Sequence, residues 1–295
     1  MQLFIEHLGR HAFLQYALFA SVLASIACGI VGSYVVVRRR TYIAGAIAHC
    51  VLGGMGAARY AQVVHGVEWL TPMLGAVCAS VLAALIIGLV TLYAGQREDT
   101  VISAVWALGM AMGISFITVT PGYNEDLMSY LFGNILMVSR ADLRLMLGLN
   151  VLIVLTTLLF YNKFLAISFQ EELARLRGVR AGLYSMFLLV LTALTVVLLI
   201  QIVGIVLVIA LLTLPAATAS QLVKRLSHVM LLAIALNTVF TVGGLVISYQ
   251  PELPAGATII ELAGTTYLAV VAGKGIWRRI RNAKHSDSPS TTSSD

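Results

Sequence analysis

Long apolar stretches alternate with short polar connections along almost the whole chain. Nine of these stretches approach or exceed the roughly 20 residues that a helix needs to cross a hydrocarbon core. The division between the sixth and seventh stretches is the weakest, because only Gln201 and Gly204 interrupt the apolar sequence there. The nine stretches cover residues 13–37, 42–62, 70–93, 101–119, 143–161, 183–200, 203–222, 228–248 and 257–273. The pattern predicts an all-α membrane protein, a polytopic helical bundle of about nine transmembrane helices.

Composition and charge agree with this fold class. Of the 295 residues, 59% are hydrophobic and 11% are charged, whereas soluble domains carry about 25% charged residues. The net charge is +6, but the basic residues are spread over loops without interleaved aromatic residues. We therefore interpret them as orientation signals beside membrane lipid, with no nucleic-acid partner.

The distribution of Lys and Arg predicts the orientation. With Arg38–Arg40 on the cytoplasmic side and alternating crossings, 15 of the 19 Lys and Arg residues lie on that side, as the positive-inside rule requires. The N-terminus is then outside and the C-terminus cytoplasmic. Residues 1–284 form one predicted transmembrane domain, and the Ser- and Thr-rich residues 285–295 are predicted to be a disordered tail.

The most charged connection is the segment 161–182, with six charged residues between two long apolar stretches. One Arg at the centre of a membrane costs about 2.5–3.5 kcal/mol, so the segment is predicted to be an aqueous loop on the cytoplasmic side. Glu171 and Arg175 have the i,i+4 spacing of a helix, and Leu173, Leu176 and Val179 mark one apolar edge. Two interpretations remain open: an amphipathic connector that lies on the membrane, or a helix that docks a soluble partner.

Two ionisable residues lie inside apolar stretches. His49 is about 10 Å below the predicted inner surface at 1.5 Å per residue, and intramembrane ionisable groups usually face a polar interior. Imidazole is the commonest transition-metal ligand, although a hydrogen bond to a neighbouring helix is an alternative role. Cys50 points about 100° away and is predicted to pack. Glu261, the only acid of the ninth stretch, either reaches the outer surface or lines a pathway.

Two local patterns predict structure near these residues. Gly45, Gly53, Gly54 and Gly56 predict close packing of the second helix against its neighbours. The apolar run Leu127–Met137 is too short to span the membrane, so we expect either a re-entrant or interfacial helix, or a lid helix packed on the bundle.

The sequence contains no GxxxxGK[ST] nucleotide-binding motif. We therefore predict that the chain is not an enzyme, and that any ATP is hydrolysed by another chain.

Four blocks of sequence, with a fifth shorter one, carry a family resemblance. The chain resembles the integral-membrane permease subunits of ABC importers for zinc, manganese and iron. The blocks occur in the family's order along nearly the whole chain, which makes the match specific. They are Val35–His49 with Val51–Gly54, Pro121–Tyr123 with Asp126–Gly133, Glu171–Ala174 with Gly178, Val203–Ala217, and Leu253–Ala257.

The resemblance implies a type II-like importer in the bacterial cytoplasmic (inner) membrane. It implies a permease homodimer, two cytoplasmic ATP-binding subunits and a periplasmic or extracellular solute-binding protein. No cofactor is expected to be permanently bound: the divalent metal ion is the cargo, and the partner subunit uses the ATP. The residues that the resemblance assigns to ATPase coupling are Gln170, Glu171, Glu172, Ala174, Arg175 and Gly178. Tyr123, Asp126 and Glu252 are assigned to the face for the binding protein.

His49 is the best candidate for a metal ligand in the pathway, with Glu261 second. Many family members have an Asp four residues before this His, and here that position is Gly45. The departure keeps two alternatives open: a permease of the same class for a metal chelate or vitamin, and an ion-coupled secondary transporter. An intramembrane enzyme ranks last, because paired catalytic residues are absent from the sequence.

Overall fold

The computed structural model describes residues 12–93, 97–121, 133, 135–249, 251 and 253–286. These residues form ten α-helices and one short 3-10 turn at Ile135–Met137. The α-helices are α1 (Ala12–Val37), α2 (Tyr42–His65), α3 (Pro72–Tyr93), α4 (Glu98–Val119), α5 (Arg140–Phe169), α6 (Glu171–Leu176), α7 (Ala181–Val203), α8 (Ile205–Leu222), α9 (Leu226–Tyr249) and α10 (Ala255–Ser286).

Each of the nine predicted apolar stretches corresponds to one of these helices. Within the described residues, eight helices are long and apolar enough to cross a membrane. The exception is α2, which has 24 residues but is rich in glycine and carries His49 and Arg59. The prediction of an all-α membrane bundle is confirmed.

The helices form two groups that α7 joins. In the first group α2 packs against α3 and α4, and in the second α1 packs against α5, α8 and α9. Helix α10 lies against α8 and α9, while α7 contacts members of both groups. Helices α4 and α10 are the least buried of the membrane-length helices, so they present the largest free faces.

Contacts between helix ends show that α1 and α5 run in the same direction. At one end of the bundle, Arg140 at the start of α5 donates a hydrogen bond to the Tyr16 hydroxyl near the start of α1. At the opposite end, Arg38, just after α1, meets Glu171, just after α5. We call the Arg38 end the basic end, and its cytoplasmic location stays a prediction.

Local sequence explains where several helices begin and end. Ser139 starts α5 with a capping box, in which its hydroxyl accepts a bond from the Asp142 N–H and Asp142 Oδ2 accepts one from the Ser139 N–H over 2.9 Å. Gly204 separates α7 from α8 with φ 80° and ψ 165°, a conformation that is nearly restricted to glycine. The division predicted between the sixth and seventh stretches is therefore a real helix break.

Several serine and threonine hydroxyls inside the apolar helices are satisfied within their own helix. In α1, buried Ser21, Ser25 and Ser33 each donate to the carbonyl oxygen four residues earlier. Thr192 and Thr195 of α7 do the same. Polar groups left unpaired in hydrocarbon cost several kcal/mol, so these bonds let the helices carry hydroxyls within the bundle.

Candidate functional site

The segment 161–182 is more ordered than the sequence predicted. Helix α5 continues to Phe169, so the first third of the segment extends a membrane helix and is not part of a loop. The reason is its apolar face, on which Phe164 and Ile167 are buried in the core. The prediction that the whole segment is a loop was wrong, and the connection proper reduces to α6 and the turns on either side of it.

Glu171, the first residue of α6, joins two arginines. Its Oε2 lies 3.2 Å from Nη2 of Arg38, and its Oε1 lies 2.8 Å from Nη2 of Arg175. The Arg38 side chain is only 5% exposed, and burial lowers the pKa of its guanidinium to about 10. Arg38 thus stays charged at neutral pH. Because a buried charge without a partner is costly, the carboxylate of Glu171 stabilises it.

A second ion pair extends this cluster to α4. Nε of Arg40 lies 2.9 Å from Oε1 of Glu98, the first residue of α4. The hydroxyl oxygen of Ser185 in α7 accepts bonds from Nη2 of Arg38 over 3.0 Å and from Nη1 of Arg40 over 3.1 Å. We call Arg38, Arg40, Glu98, Glu171, Arg175 and Ser185 the ionic cluster. It joins the α1–α2 turn, α4, α6 and α7 at the basic end.

The other side of α6 is open. Ala174 is buried against the bundle, whereas Leu176 is 84% exposed and Leu173 is 40% exposed. Of the predicted apolar edge, Val179 packs against the core, but the two leucines point away from it. Gly178, in the turn after α6, has φ 78°, and no atom lies within 4 Å of the position where its Cβ would be. The structure therefore brings the predicted coupling residues Gln170–Gly178 together on one short, exposed projection.

His49 faces α4 within the bundle. Its imidazole stacks on the indole of Trp106, with ring centroids 4.9 Å apart and an angle of 22° between the planes. Its Nδ1 is buried and has no hydrogen-bond partner among the described residues. The same indole fills the space beside Gly45, since a Cβ built there would lie 2.9 Å from Cζ3 of Trp106. A Trp side chain thus occupies the place beside His49 where the family resemblance led us to expect a carboxylate.

Glycine and cysteine fix how α2 lies on α4. The Sγ of Cys50 donates to the carbonyl oxygen of Val105 over 3.3 Å, which confirms that Cys50 packs. A Cβ on Gly53 would lie 2.8 Å from the carbonyl oxygen of Gly109. On the other side of α2, a Cβ on Gly54 would lie 2.2 Å from a carbonyl oxygen of α3. The predicted close packing of the second helix is confirmed.

The second candidate for a pathway ligand, Glu261, lies on another helix than His49. Glu261 is exposed on α10, and within the described residues there is no group of three or more His, Cys, Asp or Glu side chains that could hold a metal ion. Tyr123, Asp126 and Glu252 lie outside the described residues, as does most of the predicted short helix Leu127–Met137. Their roles stay predictions.

Sequence reasoning missed Trp106, Arg38, Glu98 and Ser185 as members of these sites. Arg38 and Glu98 had a usable signal, because charges directly beside apolar stretches mark helix ends that meet at the same surface. Trp106 had none, since one aromatic residue in an apolar helix is indistinguishable from lipid-facing or core residues until the rotation of the helix is known.

The fold is a bundle of membrane-length helices, and it carries an exposed projection at the basic end. Comparisons with known proteins identify its family: the model of the ABC 3 transport family matches residues 10–274. The chain belongs to this family, which confirms the resemblance to permease subunits of metal-ion ABC importers.

Relatives match over nearly their full length. An uncharacterized membrane protein of Synechocystis is 43% identical over 89% of this chain and 91% of its own. The manganese transport system membrane protein MntC of Halalkalibacterium halodurans is 32% identical over 90% of this chain and 88% of its own. Among solved structures, PsaBC from Streptococcus pneumoniae in complex with Fab matches with a TM-score of 0.78 and 32% identity, covering 91% of this chain and 94% of that one.

Proposed function

We propose that this chain is the membrane-spanning permease subunit of an ABC importer that moves a divalent transition-metal ion into the cytoplasm. The ion is cargo, delivered by an external solute-binding protein. Two copies of the chain form the pathway, and two cytoplasmic ATP-binding subunits hydrolyse ATP. The chain itself is not an enzyme and holds no permanently bound cofactor. Zinc, manganese and iron are the candidate ions, and the name of the relative MntC supports manganese among them.

The observation that carries this proposal is the construction of α6. One side of the helix is fixed to the bundle by Ala174 and by the Glu171–Arg38 pair. The other side presents Leu176 and Leu173 beside Glu172 and Arg175, which are also exposed. Exposed leucines rimmed by charges are typical of a surface that binds a protein or a membrane. The match of Glu171–Ala174 and Gly178 to the coupling block of importer permeases favours the protein partner over an amphipathic connector on the membrane.

The anchored side explains how docking can act on the pathway. A displacement of α6 moves the carboxylate of Glu171, to which Arg38 is bound. Arg38 and Arg40 share the hydroxyl of Ser185, and Arg40 holds Glu98 at the start of α4. Helix α4 carries Trp106 against His49 of α2. A movement imposed by the ATPase at the basic end would thereby reach the proposed pathway ligand.

Metal uptake with docking variants tests the proposal. The permease is expressed with its ATPase and binding protein in cells that lack their own metal importers, and uptake of zinc, manganese and iron is measured separately. Leu176→Asp should abolish uptake of the transported ion and release the ATPase. Leu222→Asp is the matched control, because Leu222 is also exposed (52%) and ends a helix, but lies outside α6 and outside the family blocks.

The alternatives give different results in the same experiment. Uptake of a metal chelate or vitamin but of none of the free ions would assign the chain to that class of permease. Uptake that continues without the ATPase would indicate an ion-coupled secondary transporter. Uptake that is unchanged in Leu176→Asp, with the ATPase still bound, would contradict the docking role of α6.

A further inference from the structure

The contact between His49 and Trp106 is built by α2 and α4 together. The two rings stack at 4.9 Å between centroids, close to the offset arrangement that aromatic pairs prefer. Gly45 precedes His49 by four residues, so both lie on the same face of α2. That face meets one indole, which covers Gly45 with its Cζ3 and Cη2 atoms and His49 with its ring plane.

The indole has no room to move toward α2. A Cβ on Gly45 would lie 2.9 Å from Cζ3 and 3.0 Å from Cη2 of Trp106, closer than carbon atoms approach without displacement. About one turn after Gly45, the thiol of Cys50 donates a hydrogen bond to the carbonyl oxygen of Val105, the residue before Trp106. A Cβ on Gly109 would collide with the Sγ of Cys50 at 2.6 Å. The register of α4 on α2 is therefore fixed on both sides of the stacked pair.

The consequence for His49 is a restrained ring. Its Nδ1 is buried and has no hydrogen-bond partner among the described residues, so no hydrogen bond at this nitrogen orients the imidazole. Histidines that bind metals are usually oriented by a hydrogen bond from the other ring nitrogen. Here the flat face of the indole is the contact that limits rotation of the ring.

We propose that Trp106 is the positioning residue for His49, that its indole holds the imidazole in its orientation by stacking, and that Gly45 is required because any side chain there would displace the indole. The inference rests on the proposed role of His49 in the pathway. Trp106 does not bind the ion itself. It takes the place of a hydrogen-bonding partner, because α2 presents no carboxylate beside the imidazole.

Fluorescence of Trp106 tests the stacking directly. The chain has three tryptophans, and Trp69→Phe with Trp277→Phe leaves Trp106 as the only emitter. In the purified permease, Co²⁺, whose d electrons quench nearby indoles, should quench this emission saturably, and His49→Gln should abolish the saturable part. Two results would overturn the proposal. One is quenching in His49→Gln that equals quenching in the protein with His49. The other is the absence of quenching at every Co²⁺ concentration that inhibits uptake of the transported ion.

Uptake kinetics test the positioning. Trp106→Leu should raise the half-saturating metal concentration by about three- to tenfold, the range that loss of an aromatic pair predicts. Trp106→Phe keeps an aromatic face and should stay within about twofold of the wild type. Trp69→Leu, at a Trp that is 73% exposed, is the matched control and should have no effect.

The requirement for glycine at position 45 is tested with a second pair of variants. Gly45→Ala should impair uptake, and Gly45→Ala combined with Trp106→Phe should restore most of it, because the smaller ring vacates the space of Cζ3 and Cη2. An impairment that Trp106→Phe fails to restore would contradict the steric role.

The results also separate this inference from the proposed function. Unchanged uptake in His49→Gln would remove His49 from the pathway and with it the basis of the inference. Loss of uptake in His49→Gln together with normal kinetics in Trp106→Leu would keep the pathway role and overturn the positioning role. If Trp106→Leu does not fold, Trp106→Phe, the Gly45 pair and the fluorescence of the single-tryptophan protein still decide the question.

Discussion

Arg38 donates a hydrogen bond to Glu171 over 3.2 Å, although the two residues are 133 positions apart in the sequence. One stands in the turn after α1 and the other begins α6. The contact makes the charged connection between α5 and α7 part of the bundle, and it anchors one side of α6 while the other side stays exposed.

Removing this carboxylate should destabilise the basic end. Glu171→Ala leaves the buried guanidinium of Arg38 without its carboxylate partner, and we expect the free energy of unfolding to fall by about 1–3 kcal/mol. Glu171→Gln keeps one acceptor oxygen and should lose less. Thermal unfolding of the purified permease checks this. Glu172→Ala, at the exposed neighbouring position, is the control and should change stability by no more than about 0.5 kcal/mol.

Gly178 should be required for docking more than for folding. Its φ of 78° is left-handed, but the space around it is open. A side chain therefore strains the backbone by about 1–2 kcal/mol without a clash inside the bundle. We expect Gly178→Leu to prevent co-purification of the ATPase while the permease stays folded, and Gly178→Asn, which tolerates this conformation, to retain more binding. Full ATPase binding by Gly178→Leu would contradict the docking role.

The contact between α2 and α3 should tolerate no added methyl group. A Cβ on Gly54 would lie 2.2 Å from the carbonyl oxygen of Gly75 and 2.4 Å from Cβ of Ala79. Overpacking of this kind costs about 1–3 kcal/mol, so Gly54→Ala should lower the unfolding temperature. Gly148→Ala in α5 is the control, because no atom lies within 4 Å of its Cβ position. Equal unfolding temperatures for the two variants would show that the helices separate at little cost.

The two candidate pathway residues should differ in importance. His49 lies between α2 and α4, whereas Glu261 is exposed on α10, the least buried of the membrane-length helices. We expect His49→Gln to abolish uptake of the transported ion at an unchanged protein level, and Glu261→Gln to reduce uptake by less than about twofold. Uptake is measured with each metal separately. A larger loss in Glu261→Gln would move the pathway to the face of α10.

The sequence predicted the helices well and one connection poorly. Nine apolar stretches predicted the membrane-length helices, including the division at Gly204. The end of α5 was placed too early, because Lys163 was grouped with the charged residues that begin at Glu171, although the residues between them are mostly apolar. In the structure Lys163 reaches the hydroxyl of Tyr184 over 2.6 Å and leaves the apolar face of Phe164 and Ile167 in the core.

Part of the candidate site was also predictable from sequence. The exposed coupling segment and His49 followed from charges and from family blocks that are contiguous in the chain. The sequence showed that Gly45 stands where the resemblance led us to expect Asp, but it gave no reason. The reason is Trp106, which lies 61 positions away in the chain and fills that space.

By itself, the amino-acid sequence determined the fold class, the helices and the family, because hydrophobic length and short motifs are local properties that no neighbouring helix alters. The tertiary structure alone decided that Trp106 lies on His49, that Arg38 meets Glu171 and that Leu176 points outward. Those contacts depend on the rotation of each helix about its axis and on its position along that axis relative to its neighbours. Hydropathy does not specify either quantity, because an apolar helix surface is equally compatible with lipid and with another helix.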